Sequence, residues 1–205
     1  MNNIQLVSTG QFGLSLAALL QPWAERADAG AGLHVYCASA LNLQSFQEYG
    51  RQLAGDQRLL GVFLFERFLF ITPVLSNGDG PCAACYVARL LSHPPQPLND
   101  FVVRAAVRIC DENLKFAYHN WNRSTLQLAA ELVQQQIAAG RANQALALDI
   151  GGLNILADRV LPLHACACRQ AGIPAARIGA RRFVAFVPEL QACLAGATTK
   201  QGAAA

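Results

Sequence analysis

The chain has 205 residues and a formal net charge of +3; 53% of its residues are hydrophobic and only 14% are charged. This length suffices for one sizeable α/β domain, or for one domain with a small additional lobe. No lysine- or arginine-rich run occurs, and Arg181-Arg182 is a weak patch, so nucleic-acid binding is not favoured. Because so few charges leave little to keep a monomer soluble, the composition predicts a buried interface in a homo- or hetero-oligomer.

The N-terminal residues MNNIQLVSTG lack a basic segment followed by an apolar core, which argues against a signal peptide. The most apolar stretch, residues 59–75, is interrupted by Glu66-Arg67 and by Pro73, so we expect no membrane span. These observations predict a cytoplasmic protein. Because cysteines stay reduced in that compartment, a paired-cysteine pattern favours a metal site over a disulfide.

The first part of the chain alternates predicted strands and helices. A short apolar run ends at a glycine, and apolar residues then recur at helical spacing. In chain order, the predicted elements are the strand Ile4–Thr9, the helix Leu14–Arg26, the strand Leu33–Ala38, the helix Asn42–Leu53, and the strands Leu59–Phe65 and Phe68–Pro73. This order predicts an α/β fold with a Rossmann-like, mostly parallel and doubly wound sheet.

The second part of the chain combines helices with a hairpin, since Gly151-Gly152 separates two strand-like runs. The predicted elements are the helices Cys85–Leu91, Asp100–Tyr118 and Ser124–Ala139, the hairpin strands Ala145–Ile150 and Asn154–Leu161, and a strand at Phe183–Val187. We therefore expect a Rossmann-like region over residues 1–92. A helical and hairpin region over residues 93–205 should close against it in a single unit.

The spacing Gly10-x-x-Gly13 lies between a predicted strand and a predicted helix, where backbone amides could face a phosphate. A full dinucleotide fingerprint has three glycines and an acidic residue about 20 residues further on, which holds the ribose. The second predicted strand ends at Ala38-Ser39 without an acid. The pattern therefore favours a tight strand-to-helix turn over a phosphate site.

Two close cysteine pairs are the most specific signal in the sequence. Cys82 and Cys85 form a Cys-x-x-Cys pair, and Cys166 and Cys168 form a Cys-x-Cys pair. Zinc prefers four soft ligands in a tetrahedron, and four thiolates satisfy it fully. Since four thiolates leave no open position, we expect a structural zinc ion that joins the C-terminal hairpin region to the sheet, and no catalytic residue.

Other interpretations of the cysteines remain. Free cysteines are often small buried hydrophobic residues, and a Cys-x-x-Cys pair can also be a thioredoxin-like redox motif. His164 could replace one cysteine ligand, although we expect a loop residue there. Cys37, Cys110 and Cys193 stand alone and are expected in the core, and a Cys110 nucleophile paired with His119 is a minor alternative.

The order of elements and the two cysteine motifs, GDGPCAACYVARL and LPLHACACR, resemble the ThiF-like superfamily of ubiquitin-activating and sulfur-carrier adenylating enzymes. The most similar branch is that of the cyclodehydratase partner proteins of thiazole/oxazole-modified peptide (bacteriocin or microcin) biosynthesis. The resemblance extends from Ile4 to about Arg169, and its cysteine elements are its specific part.

This resemblance implies a multiprotein complex. Such proteins assist a YcaO-type enzyme that uses ATP to cyclise cysteine, serine or threonine residues of a precursor peptide. The ThiF-like subunit binds zinc and presents the peptide without adenylating it, and a flavin-dependent dehydrogenase is a further partner. Many members also carry an N-terminal winged-helix peptide clamp. This chain begins with the first predicted strand, so we expect the clamp to be absent or supplied separately.

Two other functions stay open. An active ThiF-like adenylyltransferase would act on a peptide or carrier-protein C-terminus, but it requires a glycine-rich loop, a ribose carboxylate and positioned cations. Residues 10–81 contain four arginines and no lysine, and the ribose acid is missing, so this set is insufficient for adenylyl transfer. The third possibility is a zinc-stapled scaffold unrelated to peptide maturation.

Overall fold

In the part of the chain that the structure describes, a seven-stranded mixed sheet with helices on both faces forms the centre of the fold. The computed structural model of the chain describes residues 4–27, 32–77, 80–94, 103, 105, 107, 108, 121–139, 143–163, 166 and 168, all within one unit, Met1–Cys168. Its strands are β1 Ile4–Thr9, β2 Leu33–Ala38, β3 Arg58–Phe65, β4 Phe68–Ile71, β5 Leu75–Ser76, β6 Gln144–Asp149 and β7 Asn154–Arg159. Its helices are α1 Gly10–Ala24, α2 Leu43–Gln52, α3 Ala83–Ser92 and α4 Arg123–Ala138.

The sheet is parallel in one half and antiparallel in the other. The strand order is β1-β2-β3-β4-β6-β7, with β5 beside β3. Strands β1, β2 and β3 pair in parallel, whereas β4, β5, β6 and β7 pair antiparallel with their neighbours. The prediction of a mostly parallel sheet is therefore wrong beyond β3. The two-residue connection Glu66-Arg67 explains why, because so short a link can join only antiparallel strands.

The two faces of the sheet carry different kinds of core. Alternate strand residues point to opposite faces, and the face covered by α2 and α3 collects most of the aromatic rings, whereas the face covered by α1 and α4 is mainly aliphatic. The rings on the first face include Tyr36, Phe46, Phe63, Phe65, Phe68, Phe70 and Tyr86. Rings of Phe46 and Phe63 meet edge to face with centroids 5.0 Å apart, a favourable geometry for aromatic pairs.

Most predicted elements are confirmed within a few residues. Helix α1 begins at Gly10, four residues before the predicted start, and β5 lies in a stretch that the sequence left outside any element. Of the predicted helix Asp100–Tyr118, Val103 is buried in the aromatic core and Val107 packs against it, while most of the others lie outside the described residues. The predicted strand Phe183–Val187 also lies outside them.

The described helices give no support to a membrane span. Among the residues that the structure describes, no helix combines the length and the apolar character needed to cross a bilayer. The division of the chain at residue 92 stays a prediction.

Candidate metal centre

The first cysteine pair lies at the start of helix α3. Cys82 is the residue that precedes the helix, with an extended backbone, and Cys85 lies in the first helical turn. The Tyr86 amide donates to the Cys82 carbonyl at 3.1 Å, and the Ser76 amide donates to the Pro81 carbonyl at 3.3 Å. These bonds fix the entry of the chain into the helix, where the positive end of the helix dipole favours thiolates.

The second cysteine pair arrives on the segment that leaves strand β7. The Cys166 amide donates to the Leu163 carbonyl at 3.3 Å. The Leu163 amide donates to the Cys85 sulfur at 3.3 Å. The segment after β7 is thereby held against the start of α3 by a backbone contact as well as by its cysteines.

The four sulfur atoms of Cys82, Cys85, Cys166 and Cys168 lie within 4.8 Å of one another. The Sγ–Sγ distance is 3.5 Å between Cys82 and Cys166, and 3.7 Å for both Cys82–Cys85 and Cys85–Cys168. A tetrahedron with sulfur about 2.3 Å from a central zinc ion has edges of about 3.8 Å. The cluster is therefore close enough to bind one metal ion, and its spacing is compatible with zinc.

Burial and hydrogen bonds between the sulfur atoms shift the pKa values of Cys82, Cys166 and Cys168. Burial raises the pKa of the Cys82 thiol to about 11. Burial, and then hydrogen bonds from Cys166 and Cys82, raise the pKa of Cys168. Burial also acts to raise the pKa of Cys166, but hydrogen bonds with Cys168, Cys82 and Cys85 lower it below its usual value. Cysteine binds a metal as the thiolate, so an ion bound at this cluster would displace the thiol protons.

The remaining candidates do not join the cluster. Cys37 is fully buried on the aliphatic face of the sheet, where burial raises the pKa of its thiol to about 12. It is a core residue, as predicted. Cys110, Cys193 and His164 lie outside the described residues.

The glycine turn before α1 is occupied by the side chain of another loop. The Ser39 hydroxyl accepts hydrogen bonds from the Phe12 amide at 2.9 Å and the Gly13 amide at 3.4 Å, and it donates to the Thr9 carbonyl at 3.3 Å. Thr9 precedes the helix but makes no capping bond with its own side chain. Ser39 therefore caps α1 with an oxygen that satisfies two of its free amides.

The structure explains why glycine occupies both Gly10 and Gly13 in this turn. Gly10 has a φ of +70°, which other residues rarely adopt, and a Cβ atom there would overlap Ser39. A Cβ atom at Gly13 would overlap the carbonyl oxygen of Cys37 on β2. The sequence reasoning predicted the tight turn but missed Ser39. Its only sequence signal was a hydroxyl residue directly after the second strand.

Known structures resemble the fold of this chain, whereas its sequence matches no known family. No known family profile matches the sequence, and no curated protein matches it. A heterocyclase solved with substrate and cofactor matches with a TM-score of 0.58 and 18% identity, over 86% of this chain and 26% of that chain. The E. coli microcin synthetase McbBCD complex matches with a TM-score of 0.53 and 12% identity, over 67% of this chain and 53% of the other.

The heterocyclase TruD matches with a TM-score of 0.51 and 18% identity, over 82% of this chain and 27% of that chain. This chain thus spans about a quarter of each heterocyclase chain and about half of the microcin synthetase chain. At these identities the likeness concerns the fold. The chain shares its architecture with parts of two heterocyclases and of a microcin synthetase.

Proposed function

We propose that this chain is a non-catalytic, zinc-bound, ThiF-like subunit of a YcaO-type cyclodehydratase complex. In the cytoplasm the complex would install azoline rings in a ribosomally made precursor peptide. The observation that carries the proposal is the convergence of four cysteine sulfurs within 4.8 Å in a chain whose fold matches heterocyclases.

The cysteine cluster supports zinc as a structural ion. Four sulfur ligands at these separations suit a tetrahedral site, and soft thiolates select zinc over hard cations. When bound, the ion would neutralise the thiolates and link the start of α3 to the segment after β7. Because all four positions would be held by protein, no position remains for a reacting water.

The glycine turn supports a subunit without adenylating activity. The amides that would face a nucleotide phosphate already donate to Ser39. A nucleotide would have to displace this buried hydroxyl, and no acidic residue stands at the end of β2 or directly after it to hold a ribose. Catalysis in the complex would then belong to the YcaO-type partner, with a flavin-dependent dehydrogenase as a further partner.

Metal analysis of the purified chain tests the zinc part of this proposal. After growth with ample zinc, we expect about one equivalent per chain. Less than half an equivalent would contradict the proposal. Cys37→Ala is the matched control, because its buried thiol lies on the aliphatic face of the sheet and should not affect zinc content.

Co-expression tests the complex. With a YcaO-type enzyme from the same gene cluster, we expect higher solubility and one co-eluting species on size exclusion. A gene cluster that also encodes a short peptide rich in cysteine, serine, threonine and glycine would favour this function over that of an unrelated scaffold. A stable monomer that ignores such an enzyme would count against the whole assignment.

A further inference from the structure

The four cysteines of the cluster differ in their exposure to solvent. Cys82 is only 7% exposed and Cys85 is fully buried, whereas Cys166 and Cys168 are partly exposed. Oxidation of a cysteine requires that the oxidant reach its sulfur atom, so a dissolved oxidant meets the second pair first. Burial therefore sets an order within the cluster, in which the segment after β7 reacts before the start of α3.

Each exposed sulfur atom contacts a buried sulfur atom of the other segment. The Sγ atoms of Cys166 and Cys82 are 3.5 Å apart, and those of Cys168 and Cys85 are 3.7 Å apart. The Leu163 amide donates to the Cys85 sulfur at 3.3 Å, which holds the two segments against each other. Since a disulfide bond is about 2.0 Å long, each contact has to shorten by less than about 2 Å to form one.

The two disulfides within a motif are less favourable than those between the segments. Cys166 and Cys168 are separated by one residue, so a bond between them would close a small, strained ring. The Sγ atoms of Cys82 and Cys85 are also 3.7 Å apart, but both are buried away from an oxidant. Ring strain thus disfavours the first of these bonds, and lack of access disfavours the second.

We propose that hydrogen peroxide converts the four thiols into two disulfides between the segments, Cys82–Cys166 and Cys85–Cys168. Peroxide transfers one oxygen atom to the Cys166 sulfur, which gives a sulfenic acid and one water. The Cys82 sulfur then attacks the Cys166 sulfur, and the sulfenic hydroxyl leaves with the Cys82 thiol proton as a second water. Each disulfide therefore consumes two thiols and one peroxide and yields two waters. Cys168 and Cys85 react in the same way.

This oxidation releases a bound metal ion but keeps the two segments joined. Zinc binds cysteine as the thiolate, so an ion at the cluster loses its ligands as the disulfides form. Both new bonds link the start of α3 to the segment after β7, so a covalent link replaces the one made by the ion. A thiol reductant reverses the change by exchange. The inference rests on the burial and spacing of the sulfur atoms, and it depends neither on zinc nor on the peptide-modifying function.

Tryptic mapping of the full chain after treatment with hydrogen peroxide tests the pairing. The tryptic peptides 68–89 and 160–169 each contain both cysteines of one motif. Disulfides between the segments join these two peptides in a non-reducing digest, whereas disulfides within a motif leave them separate. We expect mass spectrometry to show the joined species. Separate peptides, whether unreacted, internally bridged or carrying sulfinic or sulfonic acids, would overturn the proposal. Joined peptides from a chain that holds no zinc would contradict only the proposed metal.

Two double variants test whether exposure selects the pair. Cys85→Ser with Cys168→Ser keeps Cys82 and Cys166, and Cys166→Ser with Cys168→Ser keeps Cys82 and Cys85. Each lacks two of the four sulfur atoms, so the variants are matched for loss of metal. We expect peroxide to join the peptides of the first variant and to leave both thiols of the second free, because they are buried. The buried Cys37 should stay free in both. Equal thiol loss in the two variants refutes the selection by exposure. Thermal melts verify that both variants fold, and if either does not, the wild-type map decides.

Discussion

The N-terminal ends of helices α1 and α3 were both candidate binding sites, and they differ in the groups that surround them. At α1 the free amides of a glycine turn meet the Ser39 hydroxyl of the same chain. At α3 the residues around the helix start bring together four sulfur atoms, two of them more than 80 residues away along the chain. Both starts follow a strand or loop of the sheet, but only the second brings together groups that could bind a metal ion.

The difference lies in whether the groups satisfy each other. A serine oxygen and backbone amides form complementary hydrogen bonds, so the α1 turn is complete without a ligand. Four thiols near one point are poor partners for one another, because each offers a weak donor and a weak acceptor. Chemical complementarity, more than position at a helix start, separates a closed turn from a candidate metal site.

The largest expected effect comes from the cysteines. Cys82→Ser or Cys166→Ser should lower the zinc content to well below one equivalent and reduce the free energy of unfolding by more than about 4 kcal/mol, since metal loss belongs to the most destabilising kinds of change. Metal analysis and chemical denaturation measure both quantities. If zinc and stability both stay at the wild-type level in either variant, the cluster is not the metal site.

Removal of the metal from the wild-type chain also tests whether zinc stabilises the fold. Incubation of the wild-type chain with a strong chelator should lower its melting temperature, and added zinc should restore it, because ion binding and folding are linked. Calorimetric scans follow the transition. The Cys82→Ser variant serves as the control, since a chain that has already lost its zinc should not respond to the chelator.

At the α1 turn, a smaller but definite loss is expected from Gly13→Ala. The added methyl group would overlap the Cys37 carbonyl oxygen, a backbone atom that cannot move alone. Forcing α1 away from β2 should cost about 2–3 kcal/mol, within the usual range for overpacking. Gly55→Ala is the matched control, because nothing lies within 4 Å of its added Cβ. Equal stability of the two variants would show that the close approach is not maintained in solution.

Local sequence patterns predicted the elements and the cysteine pairs, but not the contacts between distant segments. The hairpin β6–β7 followed from Gly151-Gly152 between two strand-like runs, and the cysteine pairs followed from their spacing. The antiparallel half of the sheet could have been derived from the short link Glu66-Arg67. Ser39 could not, because it contacts Phe12 across 27 residues and depends on how β2 lies beside β1.

Ser39→Ala should have a moderate effect. The change leaves the Phe12 and Gly13 amides without their acceptor, and loss of a capping oxygen costs about 1–2 kcal/mol. Ser45→Ala, at an exposed position of α2, should stay within about 0.5 kcal/mol of the wild type. Urea denaturation of the two variants compares them directly. A Ser39→Ala variant as stable as the control would mean that water caps α1 equally well.

The smallest expected effect concerns ATP, for which we expect no measurable binding by the isolated chain. Calorimetry with ATP and magnesium should give no heat of binding for the wild type, because Ser39 already accepts from the turn amides and no acid stands directly after β2. Ser39→Gly frees those amides but restores neither the ribose acid nor a phosphate-binding lysine, since residues 10–81 contain none. The Ser39→Gly variant should therefore show no heat of ATP binding either. Micromolar binding by the wild type would establish that the hydroxyl yields to a phosphate and would favour the adenylyltransferase. Binding by the Ser39→Gly variant alone would show that one side chain keeps a residual nucleotide site closed.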